Sequence, residues 1–580
     1  MLPDEQDLGY YRQYDYTQYS HDKNVNVIPQ QDFQRLVMDT FSTIAENLRM
    51  TYGPYASQIL FFDSSGQTCT TKDGYNTFCE LGFSHQYQAL VYRTIKKIID
   101  RVNRNVGDGT TSCILLAEKM FSELKPLIET PEHARKLLAE LTKLEESLQN
   151  RAQVLEDKEN GLIGPLTKDS MNGLVSMAGN YDDELSNILI NAMKPTYDGD
   201  VIKAINNVEV TANVNDESMN IQRYTLSDLP GDYRISVEMT KTVHAEFFEE
   251  GPKKVHVALY DHEFNDSDWN MLFTEDFKQT HPYVLVLTRN VNTGFMDNTY
   301  LKYCNMLTQL KHGITIIFAR VHADYVRDTL EDLAHVLGTD LIGNKTEPVK
   351  WQELPETNVQ LVNGWIMCFD KLADPTMHKE LLKKEMEDSP SQSIARHKAY
   401  TDRIYALENL GPSSLVTLTT PSSLESKVIS DKIDDCLAIV RSACDYGIVP
   451  NLLTYGYNRI KRNKDDASDE LIDGICDAIM RSITGLFTDV WTSKHLDSFE
   501  EKRNQISTQL YGQQEESFDI LGERFIPREE LPTSAQYDLE VISAAISIVK
   551  YLLTSKAMIF TSAMMKPVTD SGRYVPYPMQ

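Results

Sequence analysis

"NVGDGTTSC" fills residues 105–113, between two stretches that both read as helices. Upstream, "YQALVYRTIKKIIDRVNR" puts Val91, Ile95, Ile98 and Val102 on one face. Downstream, "TTSCILLAEKMFSEL" puts Ile114, Ala117 and Phe121 on another. A plain helix–helix connection needs one glycine at most. Here Gly107 and Gly109 flank an acid and lead into two adjacent threonines at a helix start. Glycines let the backbone approach a ligand closely. Thr110 and Thr111 fall where N-caps fall, so hydroxyls and first-turn amides would face an anion. Asp108 would repel a bare phosphate, and a magnesium ion shared between carboxylate and phosphate resolves that conflict. The plain alternative is a capped turn in which Asp108 and the threonines satisfy only backbone groups.

With 580 residues the chain is too long for one core, and two to four domains are expected. Its 85 acidic against 57 basic residues give a net charge of −28, which argues against nucleic-acid binding as the main task. The eight cysteines form no CxxC pair and stand apart from histidine, so they read as small core residues of a reducing compartment. The polar, tyrosine-rich start "MLPDEQDLGYYRQYDYTQYSHDKN" reads as a surface arm and lacks the apolar core of a signal peptide. The most apolar late run, "VISAAISIVKYLLTSKAMIF", carries two lysines and reads as a buried helix, so no membrane contact is expected.

Helical patterning dominates from 31 to 150, broken by "SQILFFDSSGQTCTTKDG" (57–74), a β-hairpin with "SSG" as its turn. Its second strand ends in Thr71, Lys72, Asp73 and Gly74. From 206 to 405 short β-branched runs, "KVHVALYD", "YVLVLT" and "ITIIFAR", alternate with helical stretches. That alternation predicts a βαβ domain with a largely parallel sheet. After the strand "LVTLTT" the helical pattern resumes. A discontinuous helical domain interrupted by an inserted α/β domain is the economical topology.

Four motifs then fall into one order: "TYGPYA" (51–56), "TTKDG" (70–74), "NVGDGTTS" (105–112) and "KIDDCLAIVRSACDYGIV" (432–449). In sequence and spacing they resemble the group I, GroEL-like chaperonins, and the resemblance spans most of 31–562. It implies a multidomain α/β chaperonin fold: an all-helical equatorial domain in two parts, a small hinge domain and an inserted α/β apical domain. The implied boundaries are an N-terminal arm (1–30), equatorial parts 31–158 and 447–580, intermediate parts 159–205 and 406–446, and an apical domain 206–405. It implies an ATPase with ATP and Mg2+. Thr51, Tyr52, Gly53 and Pro54 would close over the nucleotide. Lys72 would line the pocket, and Asp73 would lie near the γ-phosphate. Asp108 would ligate magnesium, and Gly109, Thr110, Thr111 and Ser112 would hold phosphates. Asp435 would orient the attacking water. Without the other motifs, Asp434 and Asp435 read as a solvated helix face.

The sequence also departs from that family. "PNLL" (450–453) stands where a glycine triplet is expected, and Tyr55 and Ala56 replace a Lys-Gly pair. In the late segment 510–534, Ile526 precedes Pro527 where an acid is expected, with Glu529 and Glu530 nearby, and the end "SGRYVPYPMQ" lacks a Gly-Gly-Met tail. Such departures fit a phage-encoded or otherwise highly derived relative.

The implied partners are non-native polypeptides and further copies of the chain in a ring, heptameric as in the family, single or double, with a possible co-chaperonin lid. The implied location is the cytoplasm of a bacterium or a phage-infected bacterium. Phe247, Phe248, Trp269, Phe273, Tyr300 and Leu301 are the apical candidates for client capture, against a reading in which they pack the apical core. Two rivals stand beside the chaperonin: a ring scaffold or holdase with a degenerate nucleotide site, and a kinase or transferase on the same loop. The second lacks GxxxxGK[ST] and every kinase signature.

Overall fold

The computed structural model describes residues 25–561 apart from 493–515, single residues, and the short stretches 54–55, 63–67, 84–85, 215–222, 344–347, 389–393, 451–452, 466–468, 520–523 and 528–529. Most of the predicted arm, Pro54 and Tyr55 of the closing loop, Asn451 and Leu452 of "PNLL", and Glu529 therefore lie outside the described residues.

The chain divides into two compact units, one of residues 1–205, 212–224 and 417–578, the other centred on 225–416. The first unit is built of helices. In Gln30–Arg49, Phe33, Leu36, Val37, Phe41, Ile44, Ala45 and Leu48 are buried, the stripe of an amphipathic helix. Thr40 sits in the same stripe because its hydroxyl donates to the Leu36 carbonyl at 2.7 Å. Gln86–Val106 buries Val91, Ile95, Ile99 and Val102. Ile98, read from the sequence as inward-facing, is only half-buried, one position off the stripe. Ala535–Thr554 is apolar nearly all round, with Val541, Ile542, Ala545, Ile546 and Val549 fully buried, as the central helix of a bundle should be. Its Lys550 is satisfied by Glu145. Among the described residues no helix is long and apolar enough to cross a membrane.

Short strand pairs complete this unit, two of them bearing on the sequence reading. Val25–Pro29 runs antiparallel to Ala557–Thr561, with Val25 opposite Thr561. Ile59–Phe62 and Thr68–Thr71 form the expected hairpin, Ile59 opposite Thr71.

The second unit is a six-stranded closed barrel with helices on both sides. Lys253–Phe264, Val284–Val291 and Ile316–Val321, all read from the sequence, are its parallel members. The largely parallel sheet expected there is corrected by three further strands, Tyr233–Met239, Glu356–Val362 and Ile366–Phe369, which all pair antiparallel. The parallel strands are apolar on both faces. Val257, Leu259, Leu285 and Leu287 enter one core, whereas Ala258, Tyr260, Val284 and Val286 enter the other. Two helical stretches of this unit are interrupted: one breaks at Phe273 and Thr274, and the other contains a π turn over Met296–Tyr300.

Candidate active site

The hairpin strand Thr68–Thr71 delivers Lys72 and Asp73 to the start of helix Gly74–Glu80. Asp73 is the N-cap: its Oδ1 accepts the Tyr75 amide at 3.0 Å and its Oδ2 the Asn76 amide at 2.9 Å. Its own amide donates to Thr71 Oγ1 at 3.0 Å. Gly74 follows because nothing larger fits, since a Cβ there would lie 1.7 Å from Thr111 Oγ1. That contact presses the Asp73 helix start against the start of helix Thr110–Leu124.

Gly107 and Gly109 both take left-handed backbone, with φ of 77° and 84°. Gly109, not a threonine, is the N-cap of Thr110–Leu124, and no side chain caps that end. The expectation of threonine N-caps is thus corrected: Thr110 and Thr111 are the first two helical residues, and Thr110 is buried. The consequence favours an anion. Helix geometry leaves the first-turn amides without partners in the helix, and a glycine cap adds no side chain to cover them.

Helix Ser423–Tyr446 brings the remaining acids. Its Ala438 packs on Gly107, so Asp435, nearly one turn earlier, sits beside Asp108. One turn earlier still, Asp431 Oδ2 accepts from Asn76 Nδ2 at 3.3 Å and from Thr71 Oγ1 at 3.4 Å.

The electrostatics of this pocket are set by burial of like charges. Burial pushes the Asp108 carboxyl up to about 6, Asp73 adds to the push, and the Gly109 amide opposes it. Burial also raises Asp73 against two amides and Lys427, and raises Asp431 together with the charge of Asp73. Asp435 is driven well above the ordinary carboxylate range by burial first, then by Asp108, Asp73, Asp431 and Asp434. Asp108 and Asp435 keep some open surface, so the cluster is deep yet reachable. Among the described residues no three acid, histidine or cysteine side chains converge as a complete metal cage. A magnesium ion needs only one or two carboxylates, with substrate oxygens completing its shell. Unbalanced buried negative charge beside uncovered amides suits a magnesium-bound phosphate chain.

The other sequence candidates fall as follows. Thr51 is buried and its hydroxyl donates to the Leu48 carbonyl at 2.9 Å, closing helix Gln30–Arg49. Gly53 takes a φ of 80° beyond it. Ser112 is buried, and its hydroxyl is engaged by Tyr52 and Tyr537. In the second unit, Phe248, Trp269 and Tyr300 are buried in the two cores, and Phe247 and Phe273 are half-buried against them. Tyr300 bonds the Ile316 carbonyl at 2.7 Å and His244 Nε2 at 2.8 Å. Leu301 is 46% exposed.

Three residues of the site escaped the sequence reading. Asp431 stood in "SDKIDD" one helical turn before Asp435, a spacing that could have flagged it. Tyr537 and Asp538 carried no such signal. Asp538 is fully buried on the central helix, and its carboxylate accepts the amides of Leu453 at 2.8 Å, Tyr455 at 2.9 Å and Gly456 at 3.4 Å. Leu453 is left-handed, with φ of 60°. The wall that lacks a glycine triplet is thus organised from outside by one acid. It keeps a single glycine of close approach, Gly456, where a Cβ would lie 2.3 Å from Ile542 Cδ1.

Residues 44–280 match the model of the TCP-1/cpn60 chaperonin family. The fold is similar to that of the chaperonin gp146 from the bacteriophage EL 2 (Pseudomonas aeruginosa), solved in two crystal forms in the presence of ATP-BeFx. Form I aligns with a TM-score of 0.54 at 16% identity over 92% of this chain and 99% of that one. Form II aligns with a TM-score of 0.51 at 16% identity over 92% and 98%. The chain thus has a chaperonin-like fold along its length, and residues 44–280 match the chaperonin family pattern.

Proposed function

We propose that the chain is an ATP-dependent chaperonin subunit that binds non-native polypeptides and works in a ring through Mg-ATP hydrolysis. The observation that carries this reading is the gathering of Asp73, Asp108 and Asp435 around the uncapped helix start at Gly109. The first-turn amides of Thr110 and Thr111 hold the phosphate chain, with Thr51, Tyr52, Gly53, Pro54 and Lys72 closing the pocket. Asp108, with the phosphate oxygens, would hold magnesium, which supplies charge neutralisation on the phosphates. Asp73, fixed by its two cap hydrogen bonds, borders the γ-phosphate. Asp435 accepts a hydrogen bond from the attacking water and aims it in line with the leaving oxygen.

In this reading, residues 31–158 and 447–580 bind nucleotide, 159–205 and 406–446 act as the hinge that carries Asp435, and 206–405 receives clients. Exposed Leu301, Met306 and Tyr283 supply apolar surface for capture, with Phe247 and Phe273 at its margin. A heptameric ring, a lid and a bacterial or phage-infected cytoplasm complete the proposal. A ring-forming holdase with a degenerate site is favoured only by the substitution at 450–453, and it requires nucleotide binding without turnover.

Steady-state ATP hydrolysis with magnesium, run beside Asp435→Ala, tests the reading. Turnover that falls about a hundredfold or more in the variant, with assembly intact, is expected. Equal rates in both, or none in either, would bring the holdase forward.

A further inference from the structure

We infer that Tyr537 is a positioning residue of the nucleotide pocket, its phenol fixing Ser112 and, through Ser112, the Tyr52 loop against the phosphate-binding turn. The inference rests on the nucleotide reading above. Tyr537 is buried on the first turn of helix Ala535–Thr554, and its Oη lies 3.0 Å from Ser112 Oγ. Ser112 donates its hydroxyl proton to Tyr52 Oη at 3.2 Å. A serine hydroxyl has one proton, so the bond to Tyr537 must use the phenol's proton. The donors therefore run one way, from Tyr537 through Ser112 to Tyr52.

The ring of Tyr537 has a second task. A Cβ on Gly109 would lie 2.8 Å from Tyr537 Cε2 and 2.6 Å from Val541 Cγ2. The ring is thus the floor under the glycine that leaves the helix start uncapped. Its chain neighbour Asp538 holds the backbone at 453–456. One helix end therefore ties together the loop at 52, the turn at 109 and the wall at 453. A ring that only filled space would need no hydroxyl, and phenylalanine would replace it without loss. Among the described residues Ser112 is the hydrogen-bond partner of the buried Tyr537 hydroxyl, which makes the phenol itself the informative atom.

The test is steady-state kinetics of Tyr537→Phe in the assembled protein with magnesium and ATP, with thermal unfolding alongside. The expected result is a KM for ATP raised about fivefold, the effect of losing one neutral hydrogen bond, with kcat within about twofold and Tm within a few degrees of wild type. Tyr52→Phe should raise KM by a similar factor. The double variant should do no more than either single change, because both cut one chain. An unchanged KM in Tyr537→Phe, or additive effects in the double variant, would overturn the inference. If Tyr537→Phe fails to fold, Tyr52→Phe alone decides, since an unchanged KM there equally breaks the chain. Absence of magnesium-dependent nucleotide binding by wild type would overturn both this inference and the proposed function. Binding by wild type that Tyr537→Phe leaves untouched would overturn this inference alone.

Discussion

A Cβ on Gly107 would fall 2.4 Å from the Cβ of Ala438. Helix Ser423–Tyr446 therefore rests directly on the glycine turn, and this contact sets Asp435 beside Asp108. Gly107→Ala carries two penalties, about 1–2 kcal/mol for a left-handed alanine and about 1–3 kcal/mol for overpacking against Ala438. The helix should lift, and ATP turnover should drop at least tenfold. Adding Ala438→Gly should recover part of the turnover by removing the second penalty only. No recovery in the double variant would mean that the close approach does not govern the position of Asp435.

Asp431 joins helix Ser423–Tyr446 to the hairpin end through Thr71 and Asn76. Asp431→Ala should lower kcat about three- to tenfold while KM for ATP changes little, because the lost contacts align Asp435 and do not touch the nucleotide. A rise in KM at constant kcat would instead place Asp431 among the nucleotide contacts.

The Asp538 carboxyl is pushed up to about 7 by burial, against the pull of three amides, from an ordinary value of 3.8. The folded state then holds a proton that the unfolded chain has released between pH 4 and 7. The stabilising contribution is fully present below the unfolded value and is lost as pH rises through the folded one. Its full size is on the order of 4 kcal/mol. Asp538→Asn should therefore unfold earlier than wild type near pH 4, with the gap narrowing by pH 8. Urea unfolding of both proteins across that range checks the sign, and a gap that widens with pH would contradict it.

Exposed and buried aromatic or apolar residues of the second unit should separate cleanly. Leu301→Glu should weaken suppression of client aggregation several-fold at unchanged Tm, because Leu301 is nearly half exposed. Trp269→Ala removes a buried ring stacked on Phe273 at 4.6 Å and should cost about 3–5 kcal/mol of stability. Equal loss of capture and unchanged stability in both variants would return Trp269 to the client surface.

Glycine, threonine and aspartate spacing made the turn at 107–109 and the hairpin end at Asp73 legible, because such local chemistry is written in consecutive residues, whereas Asp435 was singled out only by the family resemblance. The inserted α/β unit was legible from the β-branched runs that became its parallel strands. Tyr233–Met239, Glu356–Val362 and Ile366–Phe369 were missed because alternating or very short strands give weak periodicity, and only register with distant partners defines them. Tyr537 and Asp538 were illegible for a related reason. They lie in an apolar helix far along the chain, and their tasks exist only once Ser112 and Leu453 have been brought to them. The client candidates show the opposite error: aromatic residues in amphipathic stretches look available, yet Phe248, Trp269 and Tyr300 are spent on the core.

The pairing of Val25–Pro29 with Ala557–Thr561 imposes an order on birth as well as on shape. A ribosome makes the first of these strands well before the barrel and the second well after it. The barrel, whose six strands all lie between Tyr233 and Phe369, has its whole set of partners long before that. The barrel can therefore mature while the helical unit waits, its first helices emerged but their central partner, Ala535–Thr554, not yet made. From the completion of Phe369 until Ala535–Thr554 emerges, the newborn chain would be an assembled barrel flanked by unclosed amphipathic helices. For that interval the apolar faces of those helices need shielding before they can bury one another.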